Sequence, residues 1–188
     1  MGGFRKILNR IPETYQGIVL FLICLLGSHF LWELTVRGDE EASGIVTFCG
    51  IDINWIFDYA ALWFAEKAHF GLALLGIDTQ LTMTLVGFPN GHGCSIIAGC
   101  TAIKQFLMMT LILLCSRGRF VHKLWYCALS LLVVVGYNII RLMVLTYVTR
   151  DHVEMFEFMH VHVMKYIFYA LIFLLWLLWD EWLRKVLK

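Results

Sequence analysis

The chain has 188 residues, 60% of them hydrophobic and only 15% charged, with a formal net charge of +1. Soluble domains carry roughly a quarter charged residues, so this balance places the chain in the membrane class, as one bundle and not a string of domains. It excludes a nucleic-acid binder, since no basic patch alternates with exposed aromatics. The six cysteines, scattered through apolar runs and loops, form neither a disulfide framework nor a CxxC metal site.

The N-terminal stretch carries Arg5, Lys6 and Arg10 ahead of an apolar run over about 17–35. The run is too long for a signal peptide and no small-x-small cleavage site follows it. It reads as a retained transmembrane helix with Trp32 at its far interface. An acidic loop with Asp39, Glu40 and Glu41 comes next, then a strongly apolar stretch over 51–75 that nevertheless holds Asp52, Asp58, Glu66, Lys67 and His69. Two readings compete for that stretch, a second span or a helix lying at the interface. A charge at the centre of a span costs about 3 kcal/mol on insertion scales, which favours the interface. Residues 79–86 and 93–98 have strand character and flank the turn signal Pro89-Asn90-Gly91, so they predict a short β-hairpin.

Three further apolar runs complete the chain, over about 100–115, 124–148 and 160–179. A basic loop with Arg117, Arg119, His122 and Lys123 separates the first two, and an acidic one at 149–158 separates the last two. The N-terminus, the loop at 117–123 and the C-terminus, with Arg184, Lys185 and Lys188, carry the excess of Lys and Arg, which assigns all three to the cytoplasm. Both ends of the external region 36–99 then lie outside, so an even number of crossings joins them, and a lone span at 51–75 breaks that parity. The expected fold is an all-α membrane helical bundle of about four transmembrane helices, a single polytopic domain with an external interfacial helix and the short hairpin.

Polar residues in apolar surroundings mark the candidate site. Cys100 sits where the loop enters a hydrophobic helix, and a thiol at a helix N-terminus feels the positive end of the macrodipole, which favours thiolate. Lys104, one turn along, adds positive charge on the same face. Arg141 lies within a span, where charge is costly and is a functional candidate by default, and Asn138 shares its helical face. His160 and His162 stand at the mouth of the last span, pointing in nearly opposite directions, so they are unsuited to ligating one metal together. At about 1.5 Å rise per residue, Cys100, Arg141 and His160 lie roughly 25–30 Å from the cytoplasmic ends of their own spans, against a hydrocarbon thickness of about 30 Å. Three polar anomalies on three spans thus share one level near the outer leaflet, as a common site requires.

The ordered set of Cys100 in GCTAIKQ, Arg141 in NIIR and His160 in FEFMH resembles the exosortase/archaeosortase family, over roughly Phe88 to Trp179. Where that family has Cys-Ser-Gly or a close variant, this chain has Cys100-Thr101-Ala102. The resemblance implies a multi-pass protein of a prokaryotic (inner) cell membrane. It implies a cysteine protease or transpeptidase that cleaves the C-terminal sorting signal of secreted proteins and uses no cofactor or metal. Its partners are then that signal and membrane lipid. The implied chemistry is acyl transfer through a thioester on Cys100. His160 serves as base and then acid, with His162 its competitor for that role, and Arg141 stabilises the oxyanion or the thiolate. In it Asn138 orients Arg141, Lys104 tunes Cys100, and the hairpin binds an extended peptide by strand addition. Two alternatives stand beside this reading. One is a membrane thiol oxidoreductase working through Cys94 and Cys100, and the other is a non-enzymatic scaffold or assembly factor.

Overall fold

A computed structural model describes residues 13–39, 44–116 and 118–186. The basic N-terminus, Glu40, Glu41, Arg117 and Lys188, used above for orientation, lie outside the described residues. Helix α1 (Glu13–Thr35) is followed by three two-residue strands, β1 (Val36–Arg37), β2 (Thr47–Phe48) and β3 (Ile51–Asp52). Helix α2 (Asn54–Leu74) leads into β4 (Gln80–Thr82), β5 (Leu85–Gly87) and β6 (Gly93–Ser95). A 3₁₀ turn (Ala98–Cys100) then precedes α3 (Ile103–Cys115), α4 (Phe120–Asp151), the short α5 (Val153–Phe158), a π-helical turn (Met159–Met164) and α6 (Lys165–Val186).

Among the described residues three helices are long and apolar enough to cross a membrane: Tyr15–Thr35, Phe120–Asp151 and Val153–Leu183. Helix α3 is equally apolar but has 13 residues, about 20 Å at the α-helical rise and shorter than the hydrocarbon layer. Its C-terminal carbonyls are nonetheless satisfied, because the Lys123 ammonium donates to Leu114 O at 2.7 Å and Ser116 O at 2.6 Å. That is a cation placed at the negative end of the helix. The core is built where α1, α3, α4 and α6 meet, around Phe21, Met109, Ile112, Leu113, Tyr126, Ile172, Trp176 and Trp179. The polar tips of two of its aromatics are paired: Tyr126 OH donates to Leu175 O at 2.7 Å and Trp179 Nε1 to Ser116 Oγ at 2.8 Å. Large side chains such as Leu26, Phe30, Leu132 and Leu174 remain exposed on the outside of the bundle, as helices facing lipid require.

The structure departs from the sequence reading at several elements. The stretch 79–86 is not one strand; it folds into β4 and β5 around Met83, whose φ of 53° is left-handed. With β6 these form a three-stranded antiparallel sheet in the order β4-β5-β6. No Asn-Gly or Asp-Gly pair announces that tight turn. The loop at 37–50 likewise contributes Arg37, Thr47 and Phe48 to a small sheet in the order β1-β2-β3. The outer loop expected at 149–158 is helical, with only His152 breaking the run between α4 and α5. The last helical run therefore begins at Val153, ahead of the expected 160.

Helix α2 and the second sheet form a cap over one end of the bundle. Phe57 at the start of α2 packs with Trp32, Val36 and Val46, while Phe64, Ala65 and Ala68 pack with Val86, Ile96, Cys100 and Leu142. The β5–β6 loop is pinned to the end of α4, where Asn90 Nδ2 donates to Arg150 O at 3.0 Å and the Arg150 guanidinium stacks over Phe88.

Candidate functional site

The segment 96–102 descends from β6 to the head of α3, and its backbone is held at both ends of Cys100. Cys100 N donates to Ile97 O at 2.9 Å, and Cys100 O accepts from Asn138 Nδ2 at 2.8 Å. Thr101 Oγ1 closes the turn on Ala98 O at 2.7 Å. Ala102 then adopts φ 58°, ψ 11°, and Ile103 opens the helix. Cys100 therefore lies in the turn above α3, not in its first helical turn as the apolar pattern predicts. A left-handed alanine is strained because its Cβ crowds the backbone, which explains the place of glycine in the Cys-Ser-Gly pattern this chain resembles. Ala102→Gly is expected to stabilise the protein by on the order of 1 kcal/mol, read as a higher melting temperature in detergent. A lower one shows that the methyl group's packing outweighs the strain.

A cavity of about 310 Å³ opens beside this turn, and Cys100, Arg141 and His160 all line it. They come from three separate elements: the 3₁₀ turn, α4 and the π turn. Arg141 is only 6% exposed and Asn138 is fully buried. The guanidinium NH1 donates to Asn138 Oδ1 at 3.4 Å, and NH2 lies 3.3 Å from His160 Nδ1. Its Nε is buried without a partner among the described residues. Because a guanidinium only donates, Nδ1 accepts in this contact and the ring proton sits on Nε2. His160 is thus neutral while Arg141 holds it. The ring stacks on Phe156 with centroids 5.6 Å apart. A run of hydrogen bonds therefore joins the Cys100 main chain, Asn138, Arg141 and His160.

The π turn explains why one histidine of the pair enters the site. A π-helical insertion shifts the face that a helix presents, and such turns recur at functional positions. His160 faces the cavity, whereas His162 is exposed and stacks on Phe158, with centroids 5.4 Å apart. Lys104 also lines the cavity, but its ammonium pairs with Glu33 at 2.5 Å, so part of its charge is met by a carboxylate on α1. The cavity wall also includes three residues the sequence reading missed: Lys165, Tyr169 and Asp39, the last held by Trp32 Nε1 at 2.8 Å. Nothing in the local sequence marks them, since each reaches the site only through the packing of α1 and α6.

Cys94 is buried on β6 and does not line the cavity. Burial, with the nearby Cys100 thiol adding to it and Arg141 opposing, pushes its thiol up to about 12. Cys94 therefore stays protonated at neutral pH and is a poor nucleophile. Among the described residues no group of three His, Cys, Asp or Glu side chains is placed to hold a metal ion.

Residues 45–178 match the family model described as transmembrane exosortase (Exosortase_EpsH). The match starts well before Phe88 and so takes in α2 and the cap as well as the three site elements. No curated protein and no solved structure matches the chain.

Proposed function

Because the chain belongs to the transmembrane exosortase family, we propose that it is a cysteine transpeptidase that cleaves C-terminal sorting signals of exported proteins through a thioester on Cys100. The observation that carries this reading is the meeting of Cys100, Arg141 and His160 at one cavity from three separate elements. In the first half-reaction the Cys100 thiol passes its proton to His160. The basic nitrogen of that ring is Nδ1, so Arg141 must let go of it as the proton arrives. The freed guanidinium then faces the negative charge that builds on the scissile carbonyl as the C–S bond forms. When the C–N bond breaks, the leaving amine takes the proton from the imidazolium. An acceptor nucleophile attacks the thioester, gives its proton back to the ring and restores the Cys100 thiol.

The cap supports an extracytoplasmic site. Helix α2 presents Asp58, Glu66 and Lys67 on its exposed face, beside Trp55 and Tyr59. Charges on an outer face do not sit in hydrocarbon, and Trp and Tyr favour the interface, so α2 lies along the membrane surface. With both termini cytoplasmic, α3 serves as a short fourth crossing from the site down to the basic loop. In intact cells a membrane-impermeant maleimide is then expected to label the exposed Cys49 and to spare the exposed Cys115. Labelling of Cys115 alone inverts the orientation and moves the site to the cytoplasm.

The thioester itself is the decisive intermediate. Incubating the enzyme with an exported reporter ending in an apolar span and a basic tail is expected to yield a covalent adduct on Cys100. Hydroxylamine should release it, because thioesters are cleaved where thioethers and disulfides are not. An adduct mapped to Cys94, or a Cys94–Cys100 disulfide formed in its place, supports the oxidoreductase reading. Turnover that leaves no adduct on any cysteine and persists in Cys100→Ala removes covalent catalysis on Cys100.

A further inference from the structure

Asn138 is fully buried one turn before Arg141 on α4, and its amide is used at both ends. Nδ2 donates to the main-chain carbonyl of Cys100 at 2.8 Å, and Oδ1 accepts from Arg141 NH1 at 3.4 Å. An asparagine amide can donate to a carbonyl through its nitrogen and accept from a guanidinium through its oxygen at once. We infer that Asn138 is a positioning residue for the nucleophile: it occupies the Cys100 carbonyl so that the Arg141 cation stays available to the cavity.

Without Asn138, the Cys100 carbonyl sits in a buried site with no donor. An unmet buried carbonyl costs about 1–3 kcal/mol, so it recruits whatever donor is near. The Arg141 guanidinium is the obvious one, since it reaches Asn138 already and its Nε has no partner. Once bound to that carbonyl, the guanidinium is turned onto the Cys100 main chain and gives up its contact with His160 Nδ1. Asn138 thus acts as a polar spacer between the two groups, and it sets the height of the 96–102 turn against α4 through a single bond. This inference rests on the proposed role of Cys100 as nucleophile, and it adds the residue that keeps the turn and the cation in place.

The full-length chain in detergent, treated with iodoacetamide and followed by mass spectrometry, tests the inference without a substrate. Cys100 lines an open cavity that a small alkylating agent can enter, and the exposed Cys49 supplies an internal reference. In Asn138→Ala the alkylation of Cys100 is expected to slow by about 10-fold relative to Cys49, because the guanidinium has turned from the cavity onto the Cys100 main chain. Asn138→Asp keeps the volume and adds a carboxylate that pairs with Arg141 and repels the Cys100 carbonyl, so the slowing should be greater. A merely structural asparagine predicts the opposite sign. A loosened turn exposes the thiol, and alkylation speeds up or stays the same. Either outcome in the isosteric Asp variant overturns the positioning role, even where the Ala variant folds poorly. The thioester adduct is scored separately in the wild-type enzyme. Its absence together with continued turnover by Cys100→Ala sinks the nucleophile assignment, whereas its presence with unchanged alkylation in Asn138→Asp sinks the positioning role alone.

Discussion

Cys100→Ala and Cys100→Ser are each expected to lower processing of an exported reporter by on the order of 10³-fold or more, while the protein still inserts and folds. The fold is expected to survive because the bonds at this position are made by the backbone, to Ile97 O and from Asn138 Nδ2, and neither depends on the side chain. Serine keeps the shape but loses the acidity and intrinsic nucleophilicity of sulfur, so a site arranged around a thiolate has little to activate. Cys94→Ala is the matched control. Its thiol is held up at about 12, it lies off the cavity, and its loss should leave processing within a few-fold of wild type. Measuring the cleaved tail by immunoblot across the three variants separates the readings. A scaffold tolerates all of them, an oxidoreductase loses function in both cysteine positions, and a transpeptidase loses it at Cys100 alone. Full processing by Cys100→Ala removes the thioester mechanism.

The sequence marks the site's members better than it marks their scaffolding. Arg141 and Asn138 stand out because polar groups in an apolar run are costly, and that cost holds regardless of tertiary detail. The choice between His160 and His162 is not legible in the same way. It depends on a π turn, which one extra residue per turn produces without any composition signature. Lys104 lines the same cavity as Cys100, as its spacing suggests, and a carboxylate on a helix some seventy residues earlier in the chain also meets its ammonium, which the local sequence does not announce. In the cap, the tight turn at Met83 lacks the glycine or asparagine that normally betrays one, so two strands read as one. The acidic stretch at 149–158 reads as a loop because charge is a solvent signal. A helix protruding beyond the membrane is equally solvated, and α4 continues to Asp151. The family match reaching back to residue 45 fits the packing of α2 and the cap directly on the Cys100 turn.

Arg141→Lys is expected to lower processing by about 10²–10³-fold, the cost of losing one donor that the proposed mechanism aims at a developing oxyanion. The charge is conserved in this variant, so the loss measures geometry. The guanidinium engages Asn138 through NH1 and His160 through NH2 at the same time, with Nε still uncommitted. A lysine presents one ammonium on a flexible stem, and that point charge cannot bridge the two partners in the planar fork they were set for. It settles on one of them. If it takes Asn138 Oδ1, His160 loses the contact that fixes its tautomer; if it reaches His160, Asn138 is left half-satisfied in a buried position. Insertion should persist, because a long basic side chain in the same place can still reach the polar cavity. Arg141→Gln sharpens the comparison: it removes the charge but keeps an amide donor, and should fall at least as low as the lysine variant. Initial rates of reporter cleavage, normalised to the amount of inserted protein, decide the matter. Near-normal rates in Arg141→Lys mean that a fixed cation is enough and that the fork has no part in catalysis. Near-normal rates in Arg141→Gln as well demote Arg141 to a structural group and leave oxyanion stabilisation to other donors around the Cys100 turn.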